Sequence, residues 1–412
     1  MPIETPGRIE PALIEDAAPA LTALATDLAG EAPRIGAGLH PEVAAALAEI
    51  VRGSNAFHSN LMEGHVARPE DIDQSLAVED IPLDRRDLAL EARAHVTAQR
   101  EIDEALRHPQ PPVPTSSDFI RNVHRRFYEQ VPAEFGHVIR ADGARHVLVP
   151  GLFRQSPADD VAVGRHTPPS SERVSAFMDH FEKRYSSTEK WSSSARIMAI
   201  APAHHRFGYI HPFPDGNGRV GRLMSHAMAQ RAGIGGHGLW SISRGLARGL
   251  KDRSEYKRMM DHADTPRQGD LDGRGNLSAR ALRDFSEWFM LVMLDQIRFS
   301  TIMFDLDRLE ERYRQLASDL IEDPMAPDLI GTVLRHGAPP TNDGTATLQP
   351  SHRGMRCTIS DLISAGLLET GAPGAPPRIA FPAAYREELF PDLFIGTGTT
   401  PPQSPPPPGR GH

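Results

Sequence analysis

The sequence contains one cysteine, Cys357, among 412 residues. A single cysteine cannot form an intramolecular disulfide, and it cannot supply a zinc site built from several thiolates. Both kinds of stabilising framework are therefore excluded, and the fold must depend on a hydrophobic core. We expect the Cys357 side chain to behave as a small, partly buried apolar group.

Long apolar runs and an excess of positive charge are also missing. No stretch approaches the roughly 20 apolar residues that a membrane-spanning helix needs, and the N-terminal MPIETPGRIEPALIED lacks the basic start and apolar run of a secretory signal. The net charge is −9, which disfavours a protein that coats nucleic acid but leaves room for a local basic patch. These features predict a cytoplasmic protein without a membrane partner.

The patterning that is present is mostly helical. Hydrophobic residues make up 39% and charged residues 24% of the chain, which suits a globular protein of two or three domains. Apolar residues at Val43, Leu47, Ile50 and Val51 follow helical spacing, and residues 83–106 form a second helical stretch that ends at a proline-rich breaker.

The pattern changes to β between Val138 and Val163. The VLV of residues 147–149, the Pro150-Gly151 turn and the VAV of residues 161–163 indicate a β-hairpin. Helical patterning then resumes and includes a clear amphipathic face between Leu282 and Val292.

A small module follows, from about Ala317 to Phe394. It contains a helical segment DLIGTVLRHG, a second segment ending in ISDLISAGLLET, and a short extended RIAF after a Pro/Gly turn. This order is typical of a winged helix. The last residues, TGTTPPQSPPPPGRGH, are of low complexity and are expected to be disordered.

Residues 211–222, HPFPDGNGRVGR, carry the strongest chemical signal. The Asp-Gly-Asn-Gly core predicts a tight turn, because glycine tolerates positive φ and lets backbone amides approach a ligand closely. The residues that follow are compatible with a helix. A glycine-rich turn that leads into a helix N-terminus presents free N–H groups and a positive dipole end, and it therefore suits a bound anion.

The side chains of this segment suit a polyphosphate. Arg219 and Arg222 are three residues apart, so they emerge close together from the first helical turn, where each guanidinium can grip phosphate oxygens. Asp215 beside a polyphosphate is a natural ligand for Mg²⁺. His211 at the start of the loop can accept a proton from an incoming hydroxyl near neutral pH.

HPFPDGNGRVGR matches the Fic (filamentation induced by cAMP) motif, HxFx(D/E)GNGRxxR, at every specified position, and the chain resembles the Fic family from about Leu21 to Met303. The resemblance implies a protein adenylyltransferase that moves AMP from ATP to a Ser, Thr or Tyr hydroxyl. It implies His211 as general base and Asp215 as the ligand of Mg²⁺ or Mn²⁺. The implied anion hole and phosphate clamps are Gly216, Asn217, Gly218, Arg219 and Arg222.

Two further segments resemble parts of the family. Residues 150–169 resemble the flap, a β-hairpin over the active site to which an extended segment of the protein substrate adds as a strand. The resemblance implies that Val163 and Gly164 lie over the nucleotide. Residues 239–260 also resemble the family and imply that Tyr256 contacts the adenine region.

The segment SNLMEG, residues 59–64, resembles the inhibitory motif (S/T)xxxE(G/N) of the Fic subgroup with an N-terminal inhibitory helix. Ser59 and Glu63 are four residues apart and share one helix face, and Gly64 suits a helix end. We expect Glu63 to pair with Arg222, misplace ATP and so inhibit the transfer.

Together these features predict a mainly α fold: a Fic-type helical core with a β-hairpin flap, plus a small C-terminal winged-helix-like α+β module. The predicted division is an N-terminal helical region with the inhibitory helix, the Fic catalytic core, the winged-helix-like module and a proline-rich disordered tail, at residues 1–110, 111–316, 317–396 and 397–412.

Two alternatives stay open. The first is another Fic-type activity, namely removal of AMP with Glu63 activating water, or transfer of a different group; the retained GNGR core favours AMP. The second is a DNA-binding regulator with a Fic sensor core, based on the basic residues His352, Arg353 and Arg356 before the ISDLISAGLL segment, although the acidic chain disfavours DNA. The sequence also leaves homo-oligomer formation and the target protein open.

Overall fold

A computed structural model of the chain describes residues 4–15, 18–76, 81–131, 136–139, 143, 145–164, 166–339, 352–371 and 375–394. The proline-rich tail predicted at residues 397–412 lies outside these ranges. Within them the chain is mainly α-helical and has two small antiparallel sheets, which confirms the predicted fold class. Among these residues, no helix is both long and apolar enough to span a bilayer.

The helices precede and follow the first two strands, and the last two strands lie near the C-terminus. Their bounds are α1 Pro19–Glu31, α2 Pro41–Met62, α3 Pro69–Leu76, α4 Leu83–Leu106, α5 Ser117–Tyr128, β1 His137–Ile139, β2 Arg145–Val147, α6 Val174–Ser186, α7 Ser193–Ile210, α8 Asn217–Arg231, α9 Ile242–Arg248, α10 Glu255–Ala263, α11 Ala279–Met303, α12 Leu306–Leu320, α13 Ala326–His336, α14 His352–Ser364, β3 Leu368–Glu369, β4 Arg378–Ile379 and α15 Arg386–Leu389.

The core forms where α1, α7, α8 and α11 pack together. The amphipathic face predicted on α11 is buried against it, since Phe285 and Phe289 are fully buried. Burial of several aromatic rings of this size is the largest single source of stability in such a core. It also fixes α7 and α8, the two helices that flank the 211–216 loop.

Helix α2 places the predicted inhibitory segment against this core. It packs on α4 and α9 and contacts α8 near its C-terminal end. Asn55 holds it there through buried hydrogen bonds: its amide donates to Gln99 Oε1 at 2.7 Å, and its Oδ1 accepts from Ser241 Oγ at 2.8 Å. The helix ends at Met62, and Gly64 follows in the left-handed region with φ 85°.

The first hairpin differs from the sequence prediction. Strand β2 pairs with β1, which precedes it in the chain, and not with residues 161–163. The pairing is antiparallel and places His137 opposite Val147. Residues 161–163 contribute only one isolated bridge, between Val163 and His166. The predicted pairing was wrong because Pro150 lacks an N–H donor and the VAV run, although of strand composition, has no partner of matching length.

The C-terminal part contains α13, α14 and the β3–β4 hairpin, in which Leu368 lies opposite Ile379. Helix α14 begins at His352, so the basic residues proposed to precede a helix lie on the helix itself. Cys357 on α14 is exposed rather than partly buried. The predicted domain division stays a prediction, and its boundary at residue 317 falls within α12.

Candidate active site

The loop between α7 and α8 is closed by its own asparagine. Asn217 Oδ1 accepts a hydrogen bond from the Phe213 N–H, and Asn217 Nδ2 donates to the Phe213 carbonyl, both at 2.8 Å. Gly216 has φ 80°, and a Cβ there would lie 2.7 Å from the ring of Tyr128. Glycine is therefore required both by conformation and by the close approach of the ring.

This loop borders a cavity of about 510 Å³. The cavity brings together the end of α2, the turn at Val163, and faces of α7, α8, α9 and α10. Its lining residues are Leu61, Met62, Glu63, Val163, Gly164, His204, Phe207, Gly208, His211, Asn217, Gly218, Gly221, Arg222, Leu246, Ala247, Arg253, Tyr256, Lys257, Met260 and Asp261. Of the predicted site residues, Asp215, Gly216, Arg219 and Ser59 lie outside this lining.

His211 ends α7 in a left-handed conformation, with φ 49°. Its N–H donates to the Phe207 carbonyl at 3.0 Å, and its own carbonyl accepts from Arg154 Nε at 2.8 Å. Burial, together with the positive charge of Arg154, lowers the pKa of His211 to about 4. The imidazole is therefore neutral at pH 7 and able to accept a proton.

Asp215 is oriented by an aromatic residue of α5. The Tyr128 hydroxyl donates to Asp215 Oδ2 at 2.7 Å, and His124 Nε2 lies 3.3 Å from the Asp215 carbonyl oxygen. Loss of hydration works to raise the pKa of Asp215. The hydrogen bond from Tyr128 and the charge of Arg219 outweigh it and hold that pKa below its ordinary value.

Arg222 is almost completely buried, with 1% of the residue exposed. Its Nε donates to Ser59 Oγ at 2.9 Å, and its second terminal nitrogen donates to the Ser59 carbonyl at 3.0 Å and to Glu63 Oε1 at 2.6 Å. Burial works to raise the pKa of Glu63, but the charges of Arg222 and Arg219 hold it below its ordinary value. The predicted contact between Glu63 and Arg222 is thus present.

Glu63 also reaches the start of α8. A Cβ added to Gly218 would collide with the Glu63 carboxylate. The carboxylate therefore lies directly against the backbone of the helix N-terminus, where an anion is favoured.

Arg219 points away from the cavity towards α4. Its terminal nitrogen lies 2.5 Å from Glu91 Oε1, and Glu91 is only 2% exposed. The guanidinium also lies over the ring of Phe127, 5.3 Å from its centroid. His65 joins the same group, with its Nδ1 2.8 Å from Glu91 Oε2.

Tyr256 and the flap turn border the cavity on other sides. Tyr256 lies on α10 with its hydroxyl 2.9 Å from His204 Nε2, and burial raises its pKa to about 12. The turn at Val163 and Gly164 is anchored by His166, whose Nε2 lies 2.8 Å from the Tyr209 carbonyl oxygen.

Sequence reasoning missed the residues that support these groups. Glu91 belongs to the helical stretch predicted at residues 83–106, but neither Glu91 nor Tyr128 lies in the motif. Glu91 did leave a signal, since it interrupts an otherwise buried helix face and a buried carboxylate requires a cationic partner. Arg253 and Lys257, which border the cavity and are four residues apart, left no comparable signal.

We predict that Tyr128→Phe raises the pKa of Asp215, because it removes the hydrogen bond that favours the carboxylate. A group whose folded pKa is lowered contributes stability above its unfolded pKa and loses it as the pH falls through the folded pKa. The variant should therefore lose stability at neutral pH and approach the wild type in acid. Carboxyl NMR titration and unfolding at several pH values measure both effects.

Tyr313→Phe is the matched control, since the Tyr313 hydroxyl donates to the Ala380 carbonyl, away from this loop. An Asp215 pKa that is equal in wild type and Tyr128→Phe would contradict the orienting role of Tyr128.

The chain is similar to known proteins over this region. The model of the Fic/DOC family matches residues 114–229. The protein adenylyltransferase Fic of Aedes aegypti is 33% identical over 137 residues, covering 32% of this chain and 24% of that protein. That of Drosophila ananassae is 36% identical over 114 residues, covering 28% and 19%. The matched region spans about a quarter or less of these relatives.

Solved structures show the same fold. A Fic family protein from Desulfovibrio desulfuricans G20 covers 90% of this chain and 99% of its own, with a TM-score of 0.52 and 16% identity. A Fic domain containing signaling protein from Bacteroides thetaiotaomicron VPI-5482 covers 68% and 96%, with a TM-score of 0.50 and 18% identity. The segment that holds His211, its loop and the start of α8 therefore lies within residues 114–229, the part of the chain that matches the Fic/DOC family model.

Proposed function

We propose that this chain transfers AMP from ATP to a hydroxyl group of a protein, and that Glu63 inhibits the transfer by occupying Arg222. The main support for this proposal is that a single cavity is bordered by His211, Arg222 and the N-terminus of α8. A neutral base, a buried guanidinium and the N-terminal N–H groups of a helix at one cavity suit phosphoryl chemistry on a nucleotide. The names of the Aedes and Drosophila relatives support the same activity.

The cavity offers separate places for the parts of ATP. Its volume of about 510 Å³ is that of a small-molecule site. The phosphates would lie at the Gly216–Gly218 backbone and Arg222, since the helix dipole and the guanidinium both favour negative charge there. The adenine ring of ATP would lie near Tyr256, and Val163 with Gly164 would cover the nucleotide.

In the proposed reaction, His211 accepts the proton of the target hydroxyl. The hydroxyl oxygen attacks the α-phosphorus, and the bond from that phosphorus to the bridging oxygen of the β-phosphate breaks. Pyrophosphate leaves with that electron pair, and AMP stays on the protein as a phosphodiester. Arg154 supports the step because its hydrogen bond to the His211 carbonyl holds the backbone from which the imidazole projects.

The protein substrate would dock beside the cavity on the turn at Val163. This turn has a single bridge, and Val163 is 41% exposed. An extended segment of a target can add main-chain hydrogen bonds to such an edge, which gives affinity with little sequence specificity. The target hydroxyl would then reach His211.

A divalent cation fits the site through Asp215. Among the described residues, no cluster of three or more His, Cys, Asp or Glu side chains could hold a metal, so these residues form no full cage. One oriented carboxylate suits Mg²⁺, which commonly takes one or two carboxylates, phosphate oxygens and waters. When bound, Mg²⁺ or Mn²⁺ would neutralise charge on the phosphates.

Glu63 would inhibit by replacing the γ-phosphate at Arg222. Its carboxylate is 2.6 Å from the Arg222 guanidinium and touches the position above Gly218. An ATP molecule that cannot place its γ-phosphate there would present the α-phosphorus at a wrong angle to His211. Loss of alignment of this kind is enough to suppress transfer.

Metal removal provides one test. We expect transfer of AMP to stop in excess chelator and to return with Mg²⁺ or Mn²⁺, and Asp215→Ala to weaken magnesium-dependent ATP binding measured by calorimetry. Asp270→Ala is the control, because that carboxylate is fully exposed on a loop. Full activity in chelator would refute the role of the cation.

Substitution of the base is a second test. We expect His211→Ala to lower the transfer rate about 10²- to 10⁴-fold while ATP binding changes little. With a pKa of about 4 for His211, the wild-type rate should show no histidine titration between about pH 6 and 8. His336→Ala, an exposed site on α13, is the control. Wild-type rates in His211→Ala would disprove the assignment.

The inhibitory contact gives a third test. We expect Glu63→Gly to raise incorporation of AMP from α-labelled ATP strongly, since Arg222 becomes available to the γ-phosphate. The Glu63→Gly, Arg222→Ala double variant should lose most of that gain. Glu63→Gln, which keeps the size of the side chain but not its charge, should fall between the wild type and Glu63→Gly.

Removal of AMP from a pre-labelled protein should be followed with the same variants. Unchanged or lower incorporation in Glu63→Gly would contradict the inhibitory role. If that variant instead no longer removes AMP, Glu63 acts as a hydrolytic base, and the alternative activity, removal of AMP, is the correct one.

A further inference from the structure

Helix α2 holds Arg222 through Ser59 as well as through Glu63, so complete release of the guanidinium from this helix requires movement of α2 and not only a new rotamer of Glu63. Two of the three Arg222 contacts described above go to Ser59, and one of these is to the backbone carbonyl. A backbone acceptor cannot rotate away while the helix stays in place. Whatever holds α2 in position therefore determines how firmly Arg222 is occupied.

The opposite side of α2 carries a second contact surface. At about 100° per residue, Ser54 and Phe57 lie on the side facing away from Ser59 and Glu63. The Ser54 hydroxyl donates to the Leu393 carbonyl at 2.9 Å. The Phe57 ring meets the Phe394 ring edge-on, with centroids 5.8 Å apart. The occupant of this surface is thus the end of the described chain, residues 386–394, which we name the C-terminal strap.

The strap is itself anchored to neighbouring helices. Arg244 of α9 donates twice to the Asp392 carbonyl, at 2.9 and 3.2 Å. Arg386 forms an ion pair with Asp73 of α3 and lies over the Phe394 ring, 4.7 Å from its centroid. The strap therefore connects α2, α3 and α9 rather than resting on one helix.

The conformation of the strap is specific to this binding mode. Asp392 has φ 63°, a left-handed backbone that non-glycine residues adopt at a cost in energy. That turn lets the carbonyls of Asp392 and Leu393 reach Arg244 and Ser54. Leu393 is 2% exposed and Phe394 8% exposed, so the apolar side chains are covered at the same time.

We propose that the C-terminal strap holds α2 against Arg222 and is a second determinant of the inhibition, so that displacement of the strap activates the enzyme. The proposal rests on the proposed function. It assigns a role to the C-terminal part of the chain, because residues 386–394 follow the β3–β4 hairpin, whose second strand ends at Ile379. Tyr313 of α12 ties that hairpin to the body through its hydrogen bond to the Ala380 carbonyl.

The test uses the full chain with Phe394→Ala, alone and combined with Glu63→Gly. An aromatic edge contact of this kind corresponds to about 2- to 10-fold in an equilibrium, so we expect incorporation of AMP to rise by about that factor in Phe394→Ala. No further rise is expected in the Glu63→Gly background, where the carboxylate that α2 places at Arg222 is already absent. Amide hydrogen exchange over residues 57–63 should become faster in Phe394→Ala.

Two controls keep the result interpretable. Ser54→Ala removes the hydrogen bond to Leu393 and the 3.3 Å contact between the Ser54 hydroxyl and His58 Nδ1 within α2. It should produce a smaller rise of the same kind if Phe394→Ala folds poorly. Phe119→Ala removes an aromatic ring of similar burial on α5, which packs on α4, α6 and α8. It should leave exchange over residues 57–63 unchanged.

The outcomes separate the two proposals. An equal rise in both backgrounds, or unchanged exchange over residues 57–63 in Phe394→Ala and Ser54→Ala, would overturn the role of the strap. If Glu63→Gly itself incorporates no AMP, the proposed function fails, and hydrogen exchange alone then decides whether the strap holds α2.

Discussion

The buried guanidinium of Arg222 is the constraint on which the rest of the site depends. A charge that is 1% exposed needs a counter-charge or several hydrogen bonds at all times. In this chain α2 provides both, through Ser59 and Glu63. The N-terminal helices are therefore part of the site electrostatically, although the match to the Fic/DOC family model begins only at residue 114.

The same logic extends to the other charged groups of the loop. Arg219 is balanced by Glu91 of α4, and Asp215 is oriented by Tyr128 of α5. Each group of the 215–222 segment that carries charge thus takes its partner from a different helix. Such a shell fixes the loop geometry without ligand, because movement of any one charge would leave another unpaired in a buried place.

The sequence alone predicts those parts of the site whose residues lie close together along the chain. The 211–222 loop and the shared face of Ser59 and Glu63 depend on residues within a few positions of each other, so spacing alone predicts them. The pairing of Glu91 with Arg219 and of Tyr128 with Asp215 could not be predicted, because the two members of each pair are more than 80 residues apart along the chain. The hairpin pairing was missed for a related reason: register depends on which segment faces which, and composition does not determine that.

Glu63 can finally be regarded as a ligand that the chain binds to itself. Because the carboxylate is attached by a short, capped helix end, its effective concentration at the guanidinium is fixed by geometry and does not change with dilution of the protein. An external anion therefore competes against a constant internal concentration. The nucleotide concentration that is needed to displace Glu63 from Arg222 is consequently an intrinsic property of the fold, set by the free energy with which one helix end holds its place.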